Sequence, residues 1–520
     1  MLNTPSSYRG MVTAPHHLAS QVGRDILKAG GTAMEAAIAV AATLAVVYPH
    51  MNSIGGDSFW LIREGDKVRA IHGCGGAAAK ADLSLYKGYD AIPWRGPLAA
   101  NTVAGTISAW QAVLEDSEMP LDQLFESAVH YAENGVAVTQ GGADIAAAKD
   151  AELRDQYGYA SVFRPNGRVL HTGDRLTQPA LARTLRRLAS EGLDSFYAGA
   201  LARDIADDLA TAGAPVSAAD LCAHRVSRTT PLTTRLRDVR LYNTAPPTQG
   251  LASLLILALF DRLNVPSADD LAFVHGLVEA TKQAFILRDR HVGDPDFLSV
   301  EAQELLDDTA YLDQLAARIG EDALPWPHVP ADGDTVWFGV IDGEGRAVSA
   351  IQSTYFEFGS GLVLPQTGII WQNRGASFTL SNSGPRALEP GRKPFHTLNP
   401  AMAVFDDGRV MAYGTMGGEG QPQTQAAIFS RYRMGVPLQQ AITAPRWLLG
   451  KTWGEASVNL KLEGRFDRGL GIALTLSGHD IERVDAFMSM MGHAGALVRH
   501  PDGRLEGATD PRSDGSVAAW

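Results

Sequence analysis

Gly333-Asp334-Thr335-Val336-Trp337-Phe338-Gly339-Val340-Ile341-Asp342 joins two stretches of chain with different textures. Upstream, Ile319 to Asp334 reads IGEDALPWPHVPADGD, with three prolines, four acidic residues and no apolar period, the composition of an exposed, extended linker. Downstream, short β-type runs recur between Asp-Gly turns: Val336 to Ile341, Ala347 to Ile351, Gly368 to Trp371, Ala401 to Phe405 and Val410 to Tyr413. A strand-rich unit therefore begins at Thr335. Before the linker, helical spacing dominates. Leu18 to Val47 reads as a helix, a break at Gly30-Gly31 and a buried Ala-rich helix, and Leu121 to Leu263 repeats Ala and Leu at three- and four-residue intervals, with helices continuing to about Arg318. Strands are expected at Phe59 to Ile62, paired with Val68 to His72, and at Val239 to Thr244, with a turn at Ala245 to Gly250. Helices followed by strands give the α+β class.

Composition narrows the partners. The 520 residues are 45% hydrophobic and 20% charged, which is ordinary for a globular chain. A net charge of −13 supplies no basic surface for nucleic acid or anionic lipid, so neither is expected as a partner. Cys74 and Cys222 are the only cysteines, too few for a disulfide framework, and the N-terminus lacks the pattern of a signal peptide. A cytoplasmic location follows as an expectation. His16-His17 has no partner ligands nearby in sequence, so no metal site is expected, and the chemistry below calls for no cofactor.

The junction resembles the start of the small subunit in the gamma-glutamyltranspeptidase family, where a threonine precedes a strand ending in aspartate. Matching segments run through the chain in the family's order. They are Ala14-Pro15-His16, Ala29-Gly30-Gly31-Thr32-Ala33, Pro49-His50 with Ile54-Gly55-Gly56, Thr102-Val103-Ala104-Gly105, Pro246-Pro247-Thr248-Gln249-Gly250, Phe358-Gly359-Ser360-Gly361, Gly414-Thr415-Met416-Gly417-Gly418 and Gly507-Ala508-Thr509-Asp510-Pro511-Arg512. The resemblance implies a four-layer αββα sandwich of the N-terminal nucleophile hydrolase type. It implies a precursor cut between Asp334 and Thr335 into a large part, 1–334, and a small part, 335–520, that stay one compact unit. Thr335 is then the nucleophile, Ser353 holds its amine, and the backbone of Gly417 and Gly418 binds the oxyanion. The chemistry is coherent: a threonine hydroxyl needs a base, and a freed α-amine titrates at about 7.7–8.0 against about 10.4 for lysine. Before cleavage that amine is locked in a peptide bond, so cutting is also activation.

The substrate positions depart from the family. Where an arginine precedes an Ala-Pro pair and clamps an α-carboxylate, this chain has Gly73-Cys74-Gly75-Gly76-Ala77-Ala78, and where an acidic residue takes an α-amine it has Gly375-Ala376-Ser377-Phe378. Arg374 stands at a substrate-contacting polar position, and its planar fork suits a carboxylate. His396 and Thr397 replace a Ser-Ser pair and offer a second polar contact, and Tyr355 replaces an asparagine and narrows the pocket. These changes resemble the oxamate amidohydrolase branch. The expected reaction is hydrolysis of a small carboxylate-bearing amide, oxamate to oxalate and ammonia. A gamma-glutamyltransferase or glutathione hydrolase, and a cephalosporin-acylase-like amidase, remain alternatives with the same nucleophile. A homodimer of processed heterodimers is a further expectation.

Overall fold

Gly30 has a positive φ of 93°, and the chain reverses there between the helices His17–Lys28 and Ala33–Val47. Thr32 caps the second helix: its hydroxyl accepts from the Glu35 N–H while the Glu35 carboxylate accepts from the Thr32 N–H. Apart from Met34, Thr43 and the capping Glu35, that helix is Ala, Val, Leu and Ile throughout. It is correspondingly buried all round, against the strands Asp334–Asp342 and Ala347–Tyr355. In this computed structural model the described residues are 3–326, 334–450 and 457–520, with the side chain of Asp334 left aside.

Two seven-stranded antiparallel sheets form the centre. The first runs Ser516–Ala519, Gly10–Ala14, Asp334–Asp342, Ala347–Tyr355, Asp57–Glu64, Lys67–Gly73, Ser227–Thr229. The second runs Ser6–Ser7, Leu505–Thr509, Ala494–Arg499, Val410–Thr415, Ala401–Phe405, Val239–Asn243, Leu232–Arg235. The sheets pack face to face through Met11, Leu61, Ile341, Met402, Val410 and Leu497. Trp337 lies over Gly414 and Gly495, where any side chain would meet its indole. Helices His17–Lys28, Ala33–Val47 and Thr106–Val113 cover one outer face; Gly250–Arg262 and Gln421–Arg433 cover the other. The architecture is the expected αββα sandwich.

Two expectations are corrected. Gly368 to Trp371 is not a strand: it makes only isolated bridges, Val363 with Ile370 and Gly55 with Trp371, because Gly368 takes a φ of 72° and the segment folds back on Leu362 and Leu364. The second half of the chain is not only strand-rich, since the helix Gln421–Arg433 is almost wholly buried in it. In space both sheets mix strands from before and after Thr335. Of the expected linker, residues 319–326 are mostly exposed or half-buried, pinned where Ala323 N–H donates to Ser477 C=O at 2.6 Å and Lys282 Nζ to Leu324 C=O at 2.6 Å. Its residues 327–333 lie outside the described residues.

The C-terminal Asp510-Pro511-Arg512 is structural. Asp510 is fully buried and pairs with Arg446 at 2.5 Å and Arg512 at 3.0 Å, while Arg512 also reaches Glu463 at 2.6 Å. Burial opposes the Asp510 charge, but Arg446, Arg512 and backbone N–H donors outweigh it and hold the carboxyl below its usual range. A depressed folded-state pKa gives stability that is complete above the unfolded value and is lost as pH falls through the folded one. Asp510→Asn is therefore expected to lower unfolding stability by about 3–5 kcal/mol at neutral pH. Denaturant titration should show that deficit narrowing in acid.

Candidate active site

Thr335 sits at a break in the ladder between Asp334–Asp342 and Ala347–Tyr355. Asp334 pairs with Tyr355 and Val336 with Gln352, so Thr335 alone faces both Ser353 and Thr354 across a bulge. The predicted nucleophile is thus fully buried yet out of the regular hydrogen-bond register. Gln421 Nε2 approaches its hydroxyl at 3.4 Å. Ser353, also buried, has its hydroxyl fixed by accepting the Tyr355 N–H at 2.8 Å.

The strand Val410–Thr415 ends in the Gly417-Gly418 turn, with φ of 126° and 51°, in the region that favours glycine. The helix Gln421–Arg433 starts three residues on, so its positive N-terminal end lies where Gln421 touches Thr335. Gln249 fixes the turn from behind: its Nε2 donates to Gly418 C=O at 2.9 Å and Thr397 C=O at 2.8 Å. Its Oε1 accepts from buried Arg288 at 3.1 Å, and Arg288 pairs with Glu419 at 2.9 Å.

Arg374 is 1% exposed and opens a short helical turn, Arg374–Ser377. Its Nη1 reaches Thr397 Oγ1 at 3.4 Å, and its guanidinium carbon lies 3.9 Å from the Tyr355 ring centroid. Nε and Nη2, both buried, have no hydrogen-bond partner among the described residues. Burial pushes the Arg374 pKa down to about 10, against the pull of Tyr355, Asp57 and Cys74. Tyr355 has a φ of 83°, rare for a bulky side chain, and that turn carries its ring onto the guanidinium. His396 differs from expectation: its Nδ1 lies 2.8 Å from Pro394 C=O and its Nε2 2.8 Å from Asp57 Oδ2, so both ring nitrogens are engaged within the protein. Burial and Arg374 lower its pKa, opposed by the Asp57 hydrogen bond.

The sequence-predicted residues thus form two joined groups. Thr335, Ser353, Gly417 and Gly418 make one; Arg374, Tyr355, Thr397 and His396 make the other. Tyr355 links them as the register partner of Asp334, and Gln249 links them by holding Thr397 and Gly418. Sequence reading missed Asp57, Gln249, Arg288, Glu419 and Gln421. Gln249 and Glu419 lay inside or beside quoted motifs, the Pro-Pro-Thr-Gln-Gly turn and the Gly-Gly pair; Asp57 directly follows Ile54-Gly55-Gly56. One group of potential metal ligands also meets, buried His275, Glu279 and His479. Its members satisfy one another: His275 Nδ1 and His479 Nε2 are 2.9 Å apart, and Lys282 Nζ, 2.7 Å from Glu279, already holds a cation's place.

Face-packed antiparallel sheets between helical layers, with a buried threonine at the bulged head of an inner strand, are the architecture of N-terminal nucleophile hydrolases. A family model described as gamma-glutamyltranspeptidase matches residues 19–520, and the chain belongs to that family. It is 54% identical over 524 residues to the oxamate amidohydrolase proenzyme of Klebsiella pneumoniae subsp. pneumoniae, covering 99% of each chain. It is 41% identical to the glutathione hydrolase-like YwrD proenzyme of Bacillus subtilis, covering 98% of each. Among solved structures, cephalosporin acylase from Bacillus halodurans superposes with a TM-score of 0.92 at 34% identity, covering 100% of this chain and 97% of that one. The protein is an amidohydrolase of this family, similar to relatives made as proenzymes. No helix among the described residues is long and apolar enough to cross a membrane.

Cys74, beside Arg374, is 1% exposed and burial pushes its thiol up to about 12, whereas Cys222 is exposed. A thiol-reactive dye is therefore expected to label Cys222 alone in the native protein and both cysteines after denaturation, read by peptide mass.

Proposed function

We propose that the protein is a self-processing threonine amidohydrolase that cleaves a small carboxylate-bearing amide, with oxamate as the substrate that fits best. The observation that carries the substrate reading is Arg374: a buried guanidinium with two N–H-bearing nitrogens that lack partners among the described residues, stacked on Tyr355, the register partner of Asp334. A carboxylate accepts two parallel N–H bonds from such a fork. The Klebsiella relative, whose name specifies oxamate, supports the same choice.

Processing begins when Thr335 Oγ1 attacks the Asp334 carbonyl carbon. The C–N bond breaks as the acyl group moves to oxygen, and water hydrolyses the ester, leaving an Asp334 carboxylate and a free Thr335 amine. The scissile bond falls at the register shift between Asp334 and Val336. In turnover the amine takes the Thr335 hydroxyl proton as the oxygen adds to the substrate's amide carbon, and Gly417-Gly418 backbone N–H groups receive the oxyanion. Collapse returns the proton to the leaving nitrogen, which departs as ammonia. Water then attacks the ester, the amine taking its proton, and oxalate leaves as the Thr335 hydroxyl is restored. Ser353 orients the amine. The two parts remain one unit. No step requires a cofactor.

Thr335→Ala should accumulate as a single chain near 55.5 kDa with no amidase activity, while the wild type separates into two fragments on a denaturing gel. Arg374→Ala should process normally and raise KM for oxamate roughly 30-fold or more, the effect of losing a desolvated charge pair worth about 2–5 kcal/mol. Unchanged KM in that variant, or two fragments from Thr335→Ala, would overturn the corresponding half of the reading. A wild type that prefers a gamma-glutamyl amide to oxamate would return the assignment to glutathione hydrolysis.

A further inference from the structure

Asp57 belongs to no site predicted from the sequence, yet it is the most heavily bonded carboxylate beside the substrate pocket. It is 0% exposed; Oδ1 accepts from Gly105 N–H at 3.0 Å and Gln372 Nε2 at 3.2 Å, and Oδ2 meets His396 Nε2 at 2.8 Å. Its strand places it opposite Ser353 in register. Hydrogen-bond accounting at His396 then fixes a proton. Pro394 C=O can only accept, so the His396 nitrogen 2.8 Å away, Nδ1, carries its hydrogen. Between Nε2 and Oδ2 there must be one more hydrogen, on either atom, or two lone pairs would face each other. The Asp57–His396 pair as a unit therefore holds one proton and is neutral overall, whichever atom bears it.

We propose that Asp57 is a positioning residue for the substrate pocket: by sharing one proton with His396 it stays uncharged as a pair, so Arg374 keeps an undiminished positive charge for an anionic substrate. This rests on the carboxylate-clamp reading above and deepens it. Were the proton absent, an ionised Asp57 would act on Arg374 as a built-in competitor for the substrate's carboxylate. The surroundings agree. His72 and His224, which face the pair, are pushed by burial to about 3 and about 4 and are neutral. Burial likewise holds the Cys74 thiol at about 12 and raises the Tyr197 phenol, keeping both protonated. Arg374 and Lys393 are cationic groups that act near the pair, with Asp294 accepting the Lys393 N–H at 2.7 Å; the Tyr355 ring covers the guanidinium. Burial and Arg374 both oppose an imidazolium at His396. The geometry is kept by the Gln372 and Gly105 donors, which hold Oδ1 while Oδ2 faces the ring.

Charge and structure separate in a mutant cycle read by KM and kcat on oxamate, with processing checked by intact mass. His396→Gln keeps a donor to Asp57 but cannot hold the extra proton, leaving the carboxylate charged beside Arg374. KM is expected to rise about tenfold or more, with kcat changed far less. Adding Asp57→Asn to that variant removes the charge, with an amide that can still accept from Gly105 and Gln372, and is expected to recover most of the loss. A double variant as impaired as His396→Gln, or more so, overturns the proposal, as does a His396→Gln enzyme with unchanged KM. If His396→Gln yields no processed enzyme, Asp57→Asn alone decides: a KM within about threefold of wild type supports the shared proton, and a rise above about tenfold overturns it. Arg374→Ala run in parallel keeps the two readings apart. If it leaves KM unchanged the carboxylate clamp itself fails; if it raises KM while the cycle fails, only the role of Asp57 falls.

Discussion

The strand Asp334–Asp342 is paired with Ala347–Tyr355 along its length and with Gly10–Ala14 over Gly339 to Asp342. Everything proposed for the protein depends on that anchoring. A chain cut before Thr335 keeps its new N-terminus in place only if the first residues are held by something other than the bond that was broken. Here Val336 onward is fixed by sheet pairing, by Trp337 wedged between the sheets, and by the buried helix Ala33–Val47 beneath. The same logic holds the two parts together. Each sheet interleaves strands from residues 1–334 and 335–520, so separating the parts would break the central ladders and expose the core between the sheets.

Rigidity alone would lock Thr335 into an unreactive strand. The register shifts at Thr335, opposite Ser353 and Thr354, and the regular ladder resumes at Val336. The same irregularity continues into Tyr355, whose left-handed backbone is the structural price of aiming its ring at Arg374. In the proposed reading, nucleophile and specificity residue meet at one register break between two paired strands, Asp334–Asp342 and Ala347–Tyr355.

That relation also decides what the sequence could reveal. The junction at Thr335 was legible because its signals are local: a proline-rich acidic run stops and a β-type run starts. The helix pair around Gly30-Gly31 was legible for the same reason, a strong period broken by glycine. Arg374 and Tyr355 stood out only against the family pattern, and nothing in spacing could show one stacked on the other. The Asp57–His396 contact joins residues 339 positions apart, and no periodicity encodes it. Gly368 to Trp371 failed in the opposite way: its apolar residues are buried as a strand's would be, but in a loop whose backbone turns at Gly368. Burial sets the composition of such a segment; hydrogen-bond partners set its conformation, and those come from Leu362 and Leu364.

An arginine buried with two nitrogens lacking partners is an unfavourable arrangement in an empty site, and the fold must offset it elsewhere. The Tyr355 face does so without consuming N–H donors, since a cation over an aromatic ring is stabilised by the ring's quadrupole while the fork stays open in its own plane. A full carboxylate partner would stabilise the guanidinium more strongly but would occupy the very donors the substrate needs. Asp57 lies near Arg374, but its oxygens are committed to Gly105, Gln372 and His396 rather than to the guanidinium. In the proposed reading, the unmet demand of Arg374 is satisfied when a carboxylate enters, which converts a folding cost into selectivity for carboxylates over neutral amides. Lysine could not take this place, because a point charge with three rotating donors would neither stack on Tyr355 nor present a fixed fork beside Thr397.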